Sequence, residues 1–150
     1  MRFCSIASGS SGNCIYVGSD NTHVLVDIGI SGKKMETGLN SLELTGRDLD
    51  GILITHEHSD HIKGLGVISR KYGIPIYATA GTVDAMVRTN ALGKIPEGIF
   101  HEIQEDEPFM INDLKVNPFT IPHDAAQPVG YRLEHEGHSV GIATDLGKYN

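Results

Sequence analysis

The residues best suited to chemistry lie in one short run, residues 55–61, with the sequence THEHSDH. Imidazole is the commonest metal ligand in proteins, and a carboxylate adds the negative charge that a dication favours. An apolar stretch, residues 51–54, precedes the run and predicts a buried strand, while residues 62–65 read as the start of a helix. A ligand-rich loop between a strand and a helix predicts a metal site.

The spacing within this run divides its side chains between two positions. If the backbone is extended, His56 and His58 point to one face and Glu57 points away, because strand side chains alternate. Asp60 and His61 lie where the chain turns into the helix, so they reach the same space from a second direction. The run therefore predicts two ligands for one ion and two for a neighbouring ion. A histidine-rich surface loop is the alternative, which the position at a strand end disfavours.

Residues 55–61 resemble the metal-binding signature of the metallo-β-lactamase-fold hydrolases, a superfamily of mostly zinc-dependent enzymes. Residues 7–14 (ASGSSGNC), residues 26–29 (VDIG) and the glutamate variant HEH at residues 56–58 are similar to the bacterial YycJ/WalJ branch. That branch is regarded as phosphodiesterase- or exonuclease-like. The resemblance covers nearly all 150 residues. It implies an α/β fold (α+β in some schemes), the metallo-β-lactamase αββα sandwich.

The resemblance also implies a set of ligands. His123 and Asp145 each end a predicted strand and match the third histidine and the bridging aspartate of the superfamily. The implied first ion is held by His56, His58 and His123, the second by Asp60 and His61, and Asp145 bridges the two. Asp27 matches an aspartate that is not usually a ligand and would orient a metal-binding histidine as a hydrogen-bond acceptor. Two divalent ions are expected, Zn²⁺ first, with Mn²⁺ or Fe²⁺ also compatible.

Two such ions would activate a bridging hydroxide for attack on phosphorus or a carbonyl, with Asp60 accepting or relaying a proton. Lys63 is a candidate contact for substrate phosphate, with a solvated helix lysine as the alternative. Ser10 lies in the small-residue loop 8–13, which is either a hairpin loop or a loop whose N–H groups border a substrate anion. The predicted function is a phosphodiesterase or exonuclease acting on nucleic acid. A thioesterase or other acyl hydrolase, and a non-catalytic metal-binding module, are the alternatives.

The composition is that of a soluble globular domain, with 39% hydrophobic and 21% charged residues. The formal net charge of −7 gives no general attraction to nucleic acid, which leaves local lysines or bound metal to attract phosphate. No apolar run reaches the roughly 18 residues of a membrane span, and residues 1–6 are too short and polar for a signal peptide. A cytoplasmic protein is expected, with Cys4 and Cys14 reduced.

The superfamily completes its second ion with a later histidine, and residues 146–150 contain none. We therefore expect residues 1–150 to form one metallo-β-lactamase-like domain that is incomplete at its C-terminus, truncated after the first half and part of the second. The alternative is that water or another copy of the chain completes the second ion. Apolar surface left exposed in such a domain would favour a homo-oligomer.

Periodicity predicts short strands at residues 2–7, 14–18, 23–27, 51–54, 74–78, 100–103, 109–111 and 114–122. It predicts helices from Ser31, from Ile62 to a terminating Gly73, and from a Thr82 cap. A final hairpin has its tip at residues 135–138, where exposure argues against His135 and His138 as ligands. The β–α–β–α order from residue 51 predicts helices packed on a sheet.

Overall fold

The computed structural model describes residues 1–9, 12–122 and 124–143, which form two β-sheets and a set of helices. The strands are β1 (Arg2–Ala7), β2 (Cys14–Gly18), β3 (His23–Val26), β4 (Gly51–Leu53), β5 (Ile76–Thr79), β6 (Phe100–Ile103), β7 (Phe109–Ile111), β8 (Leu114–Thr120), β9 (Val129–His135) and β10 (His138–Ile142). The helices are α1 (Gly32–Ser41), α2 (Ser59–Ile62), α3 (Leu65–Tyr72) and α4 (Ala80–Arg88), with a 3₁₀ turn at Gly46–Asp48. Within these ranges no helix has the length and apolar character needed to cross a membrane.

The larger sheet holds β1 to β6 in sequence order, and the smaller sheet has the order β10-β9-β8-β7. Strands β3 to β6 run parallel, whereas β1 to β3 and the whole smaller sheet are antiparallel. The carboxyl ends of the parallel strands therefore meet at one edge, which is where α/β folds place their sites. The start of β9 reaches this edge too, because the N–H of Val129 donates to the carbonyl of Thr55 at 2.9 Å.

Both faces of the central strands of the larger sheet are buried. Tyr16, Leu25 and Ile52 pack with the helices on one face. Val17 and Leu53, which alternate with them, pack against the smaller sheet on the other. Two covered faces explain why the central strands read as continuous apolar runs instead of alternating ones. Because these strands are packed on both faces, their ends are held in place, including the end of β4 that leads into residues 55–61.

The helix predicted from Ile62 is interrupted, and this prediction is wrong in its start and continuity. Gly64 separates α2 from α3, and its N–H donates to the carbonyl of Ile28 at 2.8 Å instead of to a carbonyl of α2. Glycine is required here because an added Cβ would lie 2.2 Å from the carbonyl oxygen of Ile30. Helix α2 begins before the predicted start and contains Asp60 and His61. Gly73 does end α3, with φ of 65°.

The cap predicted at Thr82 is also wrong, because the helix begins one turn earlier. Strand β5 runs directly into α4, and the side chain of Thr79 accepts a hydrogen bond from the N–H of Thr82. Thr79 also donates to the carbonyl of Gln127 at 2.8 Å. The predicted cap at Ser31 is confirmed, since its hydroxyl accepts from the N–H of Lys34.

The final hairpin is confirmed, with His135 and His138 paired across β9 and β10. Glu136 and Gly137 turn the chain with positive φ angles of 48° and 81°. The expected exposure of the tip is wrong for His135, whose side chain is 13% exposed and whose Nδ1 lies 3.1 Å from the carbonyl oxygen of Asp113. This contact with the turn between β7 and β8 accounts for the burial of the His135 side chain.

Cys4 and Cys14 are free thiols, as predicted. Burial, helped by the charge of Asp27, raises the pKa of the Cys14 thiol far above its usual range. Because the thiolate is the reactive form, we expect Ellman's reagent to modify Cys4 in the native chain and to reach Cys14 only after denaturation. Rapid modification of both thiols under native conditions would contradict this expectation.

Candidate metal centre

Four of the predicted ligands lie together beyond the end of β4. His56 and His58 occupy the loop after this strand, and Asp60 and His61 belong to α2. The ring centroid of His56 is 4.6 Å from that of His58 and 4.0 Å from that of His61. An oxygen of Asp60 lies 3.6 Å from Nε2 of His61. The run therefore gathers three imidazoles and a carboxylate in one small volume.

The remaining predicted site residues have different outcomes. Ser10, His123 and Asp145 lie outside the described residues. Lys63 is exposed beside the run, and its contact with substrate stays a prediction. Within the part of the chain that the structure describes, no group of three or more His, Cys, Asp or Glu side chains meets the spacing of a complete metal site. The ligand assignment thus stays a prediction.

Asp27 orients the histidines through hydrogen bonds to its carboxylate, which is fully buried. Its Oδ2 lies 2.6 Å from Nδ1 of His61 and accepts from the hydroxyl of Thr55 at 2.7 Å, while Oδ1 accepts from the Thr55 N–H at 2.8 Å. Burial raises the pKa of this carboxyl, and the hydrogen bonds from His61 and Thr55 oppose that rise. Because the carboxylate accepts at Nδ1, the other ring nitrogen of His61, Nε2, is left as the one able to bind a metal.

Thr55 extends the same arrangement to His56. Its hydroxyl has one hydrogen, which it donates to Asp27, so the hydroxyl oxygen accepts from Nδ1 of His56 at 2.9 Å. His56 therefore has the same tautomer as His61, with Nε2 as an acceptor. Two such nitrogens beside a carboxylate suit Zn²⁺ and related divalent ions, so the chemistry of this donor set fits the implied metal.

Three described amides of the loop at residues 8–13 are already hydrogen-bonded within the chain. The N–H of Gly9 donates to the side chain of Asn13, the N–H of Gly12 donates to the carbonyl of Gly9, and the N–H of Asn13 donates to the carbonyl of Asp60. The anion-binding interpretation therefore has no support from these three groups. Instead, the loop carries the Asn13 amide to within 3.3 Å of Nε2 of His61.

Glu57 points away from the neighbouring histidines, as the alternation predicts, but it has a partner of its own. One carboxylate oxygen accepts from the N–H of Ala126 at 3.0 Å, and the other is buried with no hydrogen-bond partner among the described residues. The segment 124–128 is held from its other side through Gln127, which bonds to Thr79, Gly81, Thr82 and Glu105. Glu57 thus ties the histidine run to the segment that leads into β9.

Paired sheets with helices on the larger one, and a histidine run at the carboxyl ends of parallel strands, define the class of protein. The β-lactamase superfamily domain matches residues 22–150, and the chain belongs to this superfamily. Its described residues supply both sheets and one helical layer of the metallo-β-lactamase sandwich.

Two bacterial relatives are similar over almost the whole chain. It is 42% identical over 147 residues to "Exodeoxyribonuclease YycJ" of Bacillus anthracis, and 40% identical over 147 residues to "Exodeoxyribonuclease WalJ" of Streptococcus pneumoniae. Each match covers 98% of this chain and 55% of the relative. The chain therefore spans about half the length of these curated relatives.

Solved structures show the same fold at low sequence identity. A metallo-β-lactamase of Cronobacter sakazakii superposes with a TM-score of 0.78 at 15% identity, covering 93% of this chain and 54% of that one. The subclass B3 metallo-β-lactamase MEM-A1, from a soil metagenome library, gives 0.71 at 20% identity, covering 93% and 58%. At such identities the likeness establishes the fold alone.

Removing the charge of Asp27 should weaken metal binding. In Asp27→Asn, an amide replaces the carboxylate that accepts from His61 and Thr55, so both histidines lose their fixed tautomer. We expect Zn²⁺ affinity, measured by competition with a chromophoric chelator, to fall about 10- to 100-fold. Asp20→Asn, in an exposed turn, is the matched control. Equal affinity in both variants would contradict the role of Asp27.

The Glu57 contact should be visible in hydrogen exchange. We expect the Ala126 amide to exchange about fivefold faster in Glu57→Ala, the worth of one hydrogen bond of about 1 kcal/mol. Glu57→Gln keeps an acceptor at the same reach and should protect this amide, whereas Glu57→Asp keeps the charge but is too short. NMR exchange rates check this. Glu102→Ala, on the exposed face of β6, is the control. If the Ala126 amide exchanges at the same rate in both variants, the prediction is wrong.

Proposed function

We propose that this chain carries a metal-dependent phosphodiesterase centre that acts on DNA as an exonuclease. The observation that carries this proposal is the buried Asp27 carboxylate, which sets the tautomers of His56 and His61 so that both present Nε2. Structural histidines have no need of such a shared arrangement, whereas metal ligands do. The names of the two bacterial relatives supply the substrate class. We assign residues 1–150 to one domain of this fold.

We assign six ligands to two ions. The first ion would be held by His56, His58 and His123, the second by Asp60 and His61, and Asp145 would bridge them. Zn²⁺ suits this nitrogen-and-oxygen set best, and Mn²⁺ or Fe²⁺ is compatible with it. When bound, two divalent ions supply positive charge that polarises a phosphoryl group and acidifies an attacking water.

The chain's own residues have separate tasks in this proposal. Asp27 and Thr55 hold the histidine rings in orientation. Asp60 accepts the proton of the attacking water, a role consistent with a side chain that is 30% exposed and so reached by solvent. Lys63 contributes a local positive charge toward the substrate phosphate. This matters because the chain's net charge of −7 gives no general attraction to DNA. A contact of Ser10 with substrate stays a prediction.

A cytoplasmic location is part of the proposal, supported by two free thiols that a reducing compartment preserves. The relatives come from bacteria, which agrees with the expected bacterial branch. Formation of a homo-oligomer stays a prediction.

Hydrolysis of end-labelled DNA tests the proposed activity. The chain is loaded with Zn²⁺ or Mn²⁺ and incubated with duplex DNA labelled at one end, then with DNA labelled at the other. We expect stepwise shortening from an end. His58→Ala should lower the rate by more than about 100-fold, because removing a ligand costs more than the roughly 10- to 100-fold effect of an outer contact. His138→Ala, at the exposed hairpin tip, should retain the rate.

The other candidate activities are outcomes of the same assay. Hydrolysis of a glutathione thioester with no cleavage of DNA would indicate an acyl hydrolase and overturn the proposal. Bound metal with no hydrolysis of DNA, bis-p-nitrophenyl phosphate or thioester would indicate a non-catalytic metal-binding module. Equal rates for His58→Ala and the unsubstituted chain would remove the histidine run from the mechanism.

A further inference from the structure

Asn13 is a buried polar residue in direct contact with the candidate metal centre. It is 4% exposed and ends the small-residue loop between β1 and β2. The Gly9 and Gly12 amides are used within this loop and do not serve an anion. The loop places the side-chain amide of Asn13 beside His61.

The orientation of this amide is fixed by backbone groups. Its oxygen accepts from the N–H of Gly9 at 3.2 Å. Its nitrogen lies 3.1 Å from the carbonyl oxygen of Gly9, 3.2 Å from that of Asp60 and 3.3 Å from Nε2 of His61, so its two hydrogens are shared among three acceptors. In the flipped orientation the amide oxygen would face two carbonyl oxygens and the NH₂ group would face an N–H. All three backbone groups disfavour that arrangement. The atom facing His61 is therefore the amide nitrogen, which can only donate.

The ring of His61 has a partner at each end. Asp27 accepts at Nδ1, 2.6 Å away, and Asn13 lies 3.3 Å from Nε2. Both contacts require the same tautomer, with the hydrogen on Nδ1 and an acceptor at Nε2. Nε2 is also the atom through which His61 would bind an ion. A lone pair that accepts from an N–H is not available to a metal at the same moment.

We propose that Asn13 is a positioning residue that caps Nε2 of His61 in the metal-free chain and yields this nitrogen when an ion binds. The inference rests on the proposed function, which makes His61 a ligand. The cap holds the ring in its ligating tautomer before metal arrives, and it competes with the ion for the same lone pair. Asn13 therefore lowers the affinity of His61 for the ion, whereas Asp27 raises it.

The cap can be removed without detaching the loop. The N–H of Asn13 donates to the carbonyl of Asp60 at 2.8 Å, and its carbonyl accepts from the N–H of Gly29 at 2.8 Å. These backbone bonds remain in Asn13→Ala, as does the bond from His61 to Asp27. The substitution therefore removes the competing donor and leaves the position of the ligand in place.

We expect Asn13→Ala to bind the ion on the His61 side about two- to fivefold more tightly. This is the lower part of the range for one ordinary hydrogen bond, because the amide shares two hydrogens among three acceptors. The binding step that His61→Ala abolishes identifies this ion, and Zn²⁺ competition with a chromophoric chelator measures its affinity. Asp27→Asn, at the other end of the ring, should shift the same step in the opposite direction. Asn40→Ala, an exposed asparagine on α1, should leave it unchanged. Weaker or equal binding in Asn13→Ala overturns the inference.

The unsubstituted chain provides a second measurement in case Asn13→Ala folds poorly. Nitrogen-15 NMR of the metal-free chain should show His61 with its hydrogen on Nδ1. Added Zn²⁺ should then shift the Asn13 side-chain amide at the same stoichiometry as the His61 ring. A hydrogen on Nε2, or an Asn13 amide that ignores the metal, overturns the inference. Neither readout uses DNA, so a chain that binds Zn²⁺ in this way but leaves DNA intact would contradict the proposed function alone.

Discussion

The buried carboxylate of Asp27 is the constraint on which the rest of the site depends. It directly follows β3 and accepts three hydrogen bonds, two from Thr55 after β4 and one from His61 in α2. A charge removed from water is costly unless it is paired and hydrogen-bonded, so the carboxylate holds these partners in place. Asp27 also has a φ of 63°, a left-handed conformation that costs about 1–2 kcal/mol for a residue with a Cβ. The hydrogen bonds that this conformation allows offset that cost.

Close packing of the main chain around Asp27 fixes the position of its carboxylate. An added Cβ at Gly29 would lie 1.7 Å from the carbonyl oxygen of Asp60, and one at Gly12 would lie 2.4 Å from the carbonyl oxygen of Gly29. Gly12 and Asn13 therefore meet segments 27–29 and 59–62 at backbone distance, which glycine alone permits. Their mutual hydrogen bonds include one from the N–H of Ile28 to the carbonyl of His61 at 2.9 Å. Side chains carried by such segments inherit a fixed position, which a ligand set requires.

Local pattern is enough to predict the histidine run and its place after a buried strand, because both depend on residue type and short-range spacing. The acceptor role of Asp27 was implied by the family resemblance. The roles of Thr55, Asn13 and Glu57 depend on partners 28, 48 and 69 residues away in the chain, and no periodicity reports such contacts. The break at Gly64 was missed for the same reason, since the N–H of Gly64 bonds to the carbonyl of Ile28 in a different segment. The helix cap at Thr79 was missed because β5 enters α4 without a loop.

The shared acceptor has a consequence for the two halves of the site. His56 reaches Asp27 through the hydroxyl of Thr55, and His61 reaches the same oxygen directly. Since the hydroxyl has one hydrogen, its donation to Asp27 and its acceptance from His56 are linked. The two imidazoles are therefore coupled through three short hydrogen bonds, from His56 to Thr55, from Thr55 to Asp27 and from His61 to Asp27. A change in the orientation of one ring alters the acceptor available to the other, so the histidines assigned to the two ions behave as one unit built on a single carboxylate.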